Sequence, residues 1–474
     1  MLFCSQAFLL FFAVVFTLYW VMPWQRARVW LLLVASFYFY ASWNHWLALL
    51  IGISTVIDYF LARGIDSWTS PRGRRFLLIV NLVGNLGLLC YFKYVNFFLH
   101  SLEEGLRAAG GSASLPLLQV ILPVGISFYT FEAINYMVDV YRRKAPAERD
   151  LSHFMLFITF FPHLVAGPIV RAKDFLPQIR RPKHWDWARL QLGAEYFLMG
   201  LFKKLAIADR MALFVDPIFK DPGAYQTHTI WLAVFAYALQ IYCDFSGYTD
   251  MAIGAAHSLG YKLAPNFNMP YLAVNISDFW RRWHISLSSW LRDYLFIPLG
   301  GSRGGEWQTA RNLMLTMTLG GLWHGASWTF VLWGIVHGCL LIGHRLFRMV
   351  VSRLPRLEYA LDSRIGTAGS VLLTFLTICC TWVMFRATSF ETMALVFKRM
   401  FVPSPGLGTP VAPAGLLYIY LIVALCHWLA YQMWFKRSMT RLPGQVIGVG
   451  YCTVLMVALL LAPKSGQAFI YFQF

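Results

Sequence analysis

The chain has 474 residues, 58% hydrophobic and only 13% charged, about half the charged share of a soluble globular domain. Apolar runs recur from end to end, which excludes a soluble enzyme and specifies an all-α polytopic membrane protein. The formal charge of +18 would point to nucleic acid in a soluble protein. Here the basic residues cluster between apolar runs, as cytoplasmic loops facing anionic lipid do, so the expected partner is the lipid bilayer and no nucleic acid.

Residues 7–22 read as the first span. The N-terminus lacks the basic stretch of a secretion signal, so no cleavable leader is expected. A second apolar run, 29–41, follows Arg26 and Arg28. A third, 46–62, ends at a stretch carrying Arg63, Arg72, Arg74 and Arg75. Lys and Arg of short loops stay in the cytoplasm, which puts the N-terminus outside, Arg26 and Arg28 inside, 42–45 outside and 63–75 inside. Residues 76–99 cross outward, the net negative stretch 101–115 stays outside, and 116–138 return to the basic stretch 142–149. The apolar segment 153–170 has cytoplasmic-type charge on both flanks, and its FPHLVAGP (161–168) breaks a helix. A re-entrant or broken segment is expected, which the bilayer tolerates only where protein or a cavity covers the freed backbone. Residues 191–215 run outward, 216–228 lie outside, and 230–253 return carrying Asp244 and Asp250. Carboxylates in an apolar segment are costly; they either pair with Arg or backbone donors or contact substrate or a proton.

Within residues 276–296, Trp280, Trp283, Leu287, Trp290 and Tyr294 recur at helical spacing, with Arg281, Arg282 and Arg292 on the other surface. That pattern predicts one amphipathic helix at the cytoplasmic interface. The glycine-rich 300–305 is no phosphate loop, because no Lys-Ser/Thr follows it. Residues 312–341 hold His324 near their middle, between basic flanks. They predict two half-length passes that bend at Gly320, Gly321 and Gly325 and leave His324 at a turn inside the bilayer. Then 371–385 cross outward, 402–413 form an outer loop, 416–434 return to the basic 436–441, and 446–461 cross last. The count is about ten or eleven crossings plus re-entrant pieces. No polar block is long enough to fold separately, so residues 1–474 form a single membrane domain. Seven of the eight cysteines lie in apolar runs without CxxC or metal-ligand spacing, which predicts small buried hydrophobes and no metal.

Ionisable side chains at membrane depth mark function by default. A histidine that is neutral near pH 7 suits general-base work: it can take a proton from a hydroxyl as that oxygen attacks an acyl carbonyl. His324 is the candidate base. His284, Ser327, Ser286 or a backbone N–H near Gly325 can orient it or steady the oxyanion. Arg281, Arg282 and Arg303 either attract a donor's phosphates or serve topology alone. Trp283 and Asp244 are further candidate donor contacts, whereas His163 reads as structural.

The segments DFWRRWHISLSSWLRDYLFIPL (278–299) and LWHGASWTFVLWG (322–334) resemble the membrane-bound O-acyltransferase superfamily. So do FPHLVAGPIVR (161–171), PVGISFYTFEAINYMVDVY (123–141) and CDFSGYTDMAIG (243–254), while the closing FIYFQF (469–474) resembles the bacterial branch that acetylates alginate. The resemblance covers nearly the whole chain, with a core at about 120–345. It implies a ring of transmembrane helices around a thin centre with re-entrant helices and a tunnel. It also implies a catalytic histidine at His324 and a second characteristic position at His284. The implied activity moves an acyl group, foremost acetyl, from a cytoplasmic thioester such as acetyl-CoA to hydroxyls of an exported polysaccharide. No bound cofactor is implied. Extracytoplasmic acetyltransferase or polysaccharide-modifying proteins are the implied partners, and the bacterial inner membrane is the location. Transfer of D-alanine to teichoic acid from a carrier protein is the related alternative. Outside the family, a transporter and a non-catalytic export scaffold fit the same composition.

Overall fold

The computed structural model describes residues 1–111, 114–409, 413–432, 442–463 and 469. Among them all regular structure is helical, apart from an isolated bridge between Tyr225 and Leu407. Six helices are long and apolar enough to cross a membrane: His45–Ser67, Pro71–Ala108, Thr227–Ser258, Trp328–Val351, Arg364–Arg386 and Gly444–Leu461. Gln6–Val21 and Tyr418–Leu429 are shorter apolar helices. The basic 436–441 and most of 469–474 fall outside the described residues.

The chain forms two compact units, one of residues 1–197 with 248–264, the other of 198–247 with 265–474. In the first, helix starts follow local capping chemistry. Ser5 accepts from the Phe8 N–H, Asn44 from those of Trp46 and Leu47, and Ser70 precedes Pro71 at the first helical turn. The span His45–Ser67 carries a buried Asp58, which accepts the side-chain amides of Asn81 (2.5 Å) and Asn85 (2.8 Å) from the next span. The expected break of 153–170 is present: Leu151–Thr159 ends at Phe160, and Phe161–Leu164 restarts around Pro162. His163 sits buried there, 3.2 Å from Glu132, which also accepts the Val170 N–H.

Two expectations change in this unit. The outer loop 101–115 is helical as far as Ala108, because the apolar helix from Pro71 continues through a π-turn at Cys90–Tyr94. The return 116–138 is helical only over Ile126–Tyr141.

In the second unit, Lys204 within a π-turn (Lys203–Ala208) meets Asp209 at 2.8 Å and Asp244 at 2.6 Å, all three buried. Asp244 is thus ion-paired, with a lysine rather than with an arginine or a backbone donor. The predicted bend around His324 is also present, but not as two half-length passes. The helix Glu306–His324 ends at the histidine, residues 325–327 turn, and Trp328–Val351 is itself long enough to span. Gly320 and Gly321 lie inside the first helix rather than at the bend. A Cβ on Gly321 would come within 2.3 Å of the Phe330 carbonyl, and one on Gly334 within 2.4 Å of the Met317 carbonyl. These glycines allow the two backbones to touch, as small residues do between membrane helices. The cysteine expectation holds for Cys243 and Cys379 only; Cys90, Cys339, Cys426 and Cys452 are exposed, as apolar side chains in a bilayer can be.

Because the contact at Gly321 is with backbone, no rotamer change relieves it. Gly321→Val should lose about 1–3 kcal/mol of stability and lower the melting temperature in detergent. Gly343→Ala, in the same hairpin but facing open space, should not. Equal melting of the two variants would show that this close approach is not what holds His324 in place.

Candidate functional site

The predicted amphipathic helix 276–296 is broken. Ile276–Arg282 starts on Asn275, whose side chain accepts the Asp278 N–H, and stops at an extended Trp283. His284 then takes φ 43° and ψ 55°, a left-handed conformation rare outside glycine, before Ile285–Leu291 and a π-turn at Arg292–Phe296. The break is gripped from outside. The Asn266 carbonyl accepts the Ile285 N–H (2.9 Å), and the Asn268 N–H donates to the Arg282 carbonyl (2.9 Å). Strain of this kind persists only where its surroundings over-determine it, and it gathers at functional sites.

The break swings His284 into the interior. It is fully buried, its ring meets that of Phe245 in a T-shaped contact with centroids 4.7 Å apart, and its centroid lies 6.4 Å from that of His324. That separation is too long for a direct hydrogen bond between two imidazoles. His324, also buried, is enclosed by Trp323 (5.1 Å), Trp333 (5.2 Å) and Phe385 (5.3 Å). The two histidines, forty positions apart in sequence, thus share one aromatic enclosure. His284 lies outside the six spanning helices, and burial pushes its imidazole down from 6.5 to about 3. It is neutral at physiological pH.

The remaining sequence candidates fall elsewhere. Trp283 is core: it packs on Trp382 (4.9 Å), Phe267 (5.1 Å) and Phe279 (5.6 Å). Ser327 caps the helix Trp328–Val351, accepting the Thr329 N–H. Arg282 pairs with Asp278 at 2.9 Å, whereas the Arg281 side chain is 70% exposed and only 3.8 Å from the same carboxylate. Asp244 is engaged by Lys204, while its neighbour Phe245 packs on His284.

Sequence reasoning missed two residues that build the site. His337 accepts from the Trp280 indole N–H through Nδ1 (3.2 Å), so its Nε2 carries the proton and donates to Thr381 Oγ1 (3.2 Å). It fixes Trp280 and packs on Trp333, which in turn covers His324. Asn266 is the second. Its sequence context, Asn-Phe-Asn between Pro265 and Pro270, reads as an ordinary turn, and only the fold brings it to His284.

Residues 141–390 match the model of MBOAT, the membrane-bound O-acyltransferase family. The chain belongs to the membrane-bound O-acyltransferase family. It is 42% identical to the probable alginate O-acetylase AlgI of Pseudomonas aeruginosa, over 85% of this chain and 75% of that protein. It is 38% identical to the protein of the same name in Pseudomonas putida, over the whole of both chains. To the peptidoglycan O-acetyltransferase of Helicobacter pylori it is 39% identical, over 79% of this chain and 73% of that one. The chain is therefore a multi-pass membrane O-acyltransferase.

The burial of His284 has a sign that can be checked. An imidazole held neutral in the fold is stabilising above its ordinary pKa of 6.5, and that contribution is lost as pH falls from there toward about 3. Between about pH 8 and pH 5, where an ordinary histidine titrates, the ¹⁵N signals of His284 should stay those of a neutral ring. A titration midpoint near 6.5 would mean that water reaches it.

Proposed function

We propose that this acyltransferase takes an acetyl group from a cytoplasmic thioester such as acetyl-CoA and passes it across the bacterial inner membrane to hydroxyls of an exported polysaccharide such as alginate. Acetyltransferase or polysaccharide-modifying proteins on the far side complete the delivery. The observation that carries the reading is the pair His284 and His324, buried 6.4 Å apart in one aromatic enclosure of an O-acyltransferase. The names of its relatives favour acetyl as the group and a cell-surface glycan as the acceptor.

In this reading His324 removes the proton of the attacking hydroxyl. The oxygen bonds to the thioester carbonyl carbon, and the tetrahedral adduct collapses with cleavage of the carbon–sulfur bond. The proton held on His324 passes to the departing sulfur, so the products are the ester and a free thiol. Aromatic walls exclude water, which would otherwise compete as acceptor. His284 cannot steady the oxyanion: its Nδ1–H is engaged by Asn266, and the remaining Nε2 of a neutral ring only accepts. On the donor side, Arg281 is more open to a donor's phosphates than Arg282, which Asp278 holds.

His324→Ala should lower O-acetylation of the exported polymer in cells by about 10²–10⁴-fold, the usual contribution of a general base. Amounts of membrane protein should stay normal, because alanine is tolerated at a helix end. Near-normal acetylation by well-expressed protein would remove the assignment. Arg281→Gln should raise the KM for acetyl-CoA with little change in kcat; an unchanged KM would leave Arg281 with a topological role only.

A further inference from the structure

We infer that Asn266 is a positioning residue that locks His284 in the tautomer with the proton on Nδ1, so that Nε2 is the accepting nitrogen of the ring. The inference rests on the catalytic reading of the histidine pair and deepens it. Three contacts converge on one oxygen: Asn266 Oδ1 meets the backbone N–H of Ser286 at 3.1 Å, the Ser286 hydroxyl at 2.8 Å and His284 Nδ1 at 3.2 Å. A backbone N–H can only donate, so the group facing Ser286 is the amide oxygen and not the NH₂. An amide oxygen can only accept. His284 Nδ1 therefore donates to it, and the lone pair of the neutral ring lies on Nε2.

The orientation of the amide is held at a cost. With the oxygen turned to Ser286 and His284, the buried Nδ2 of Asn266 finds no acceptor among the described residues. Rotating the amide would aim two N–H donors at the N–H of Ser286. The same residue holds the backbone: its carbonyl accepts the Ile285 N–H, the first beyond the left-handed His284. One asparagine thus sets the ring's direction from the main chain and its proton from the side chain. His337 shows that the enclosure does not impose one tautomer on every imidazole. There an indole N–H points at Nδ1, and the proton sits on Nε2 instead.

Two variants and two readouts test this on the full-length protein in detergent. Asn266→Leu keeps the volume and loses the acceptor. Asn266→Asp keeps an acceptor for both the Nδ1–H and the Ser286 donors. In histidine-labelled protein, the ¹⁵N signals of His284, assigned by their loss in His284→Gln, should report Nδ1–H in the parent and in Asn266→Asp. In Asn266→Leu they should move to the averaged position of an unrestrained ring. Acetyl transfer from acetyl-CoA should fall on the order of 10²-fold in kcat in Asn266→Leu with little change in KM for the donor, as when a working imidazole is left free to adopt the wrong tautomer. Asn266→Asp should recover most of it. A His284 tautomer that stays on Nδ1 in Asn266→Leu overturns the inference, as does a well-folded Asn266→Asp as inactive as Asn266→Leu. The NMR readout needs no turnover. If His324→Ala retains activity, the catalytic reading fails and the tautomer result still stands; if His324→Ala is inactive while Asn266→Leu keeps its kcat, only the role of Asn266 fails.

Discussion

A polar side chain in apolar surroundings cannot fall back on water, so it must find its partner within the protein. That constraint governs both units. Asp58 is met by two asparagines, Glu132 by His163, Lys204 by two aspartates, and His284 by Asn266. Each set includes a pair at least 18 positions apart in sequence, and each fixes the local approach of the elements that carry them. Removing one member leaves a buried group with no solvent to receive it, which costs more than a surface contact would. The buried polar groups therefore specify where helices stop and turn as much as the apolar ones do.

How much of this was legible in the sequence follows from the same physics. The helical class, the break at Pro162 and the bend after His324 could be read, because glycine, proline and apolar period are local signals. The break at Trp283–His284 could not. Trp280, Trp283 and Leu287 sit at good helical spacing, and nothing local announces a left-handed histidine. What overrides the period is a loop far along the fold: Asn266 and Asn268 offer hydrogen bonds that an unbroken helix would have to refuse. For the same reason the packing of Trp283 in the core and the capping of a helix by Ser327 could not be read from their spacing. Residue type at a suggestive spacing does not say which neighbours the chain will supply.

The aromatic residues have a parallel explanation. Their share of the chain exceeds what interfacial belts use, and the fold gathers Trp323, Trp333, Trp382 and Phe385 around the histidines. Large rigid rings close space at low entropic cost, since each has only two side-chain torsions to fix. Their N–H groups also serve as fixed donors, as the indole of Trp280 does toward His337. An aliphatic lining would exclude water equally well, but it could not assign a proton to a particular ring nitrogen.

That assignment matters because a neutral imidazole has two faces of opposite character. In water the tautomers exchange, and a histidine accepts or donates as required. Inside a dry enclosure exchange needs a proton carrier, so the tautomer set by the surrounding donors and acceptors persists. His284 and His337 lie in the same unit, both buried, and they carry their protons on opposite nitrogens because one faces an amide oxygen and the other an indole N–H. The chemistry open to each is decided by that second contact rather than by the ring itself. His337, with both nitrogens engaged, holds the wall. His284, its proton fixed on Nδ1 by Asn266 and its ring carried inward by a left-handed backbone, keeps Nε2 as its accepting nitrogen within the enclosure that His324 shares.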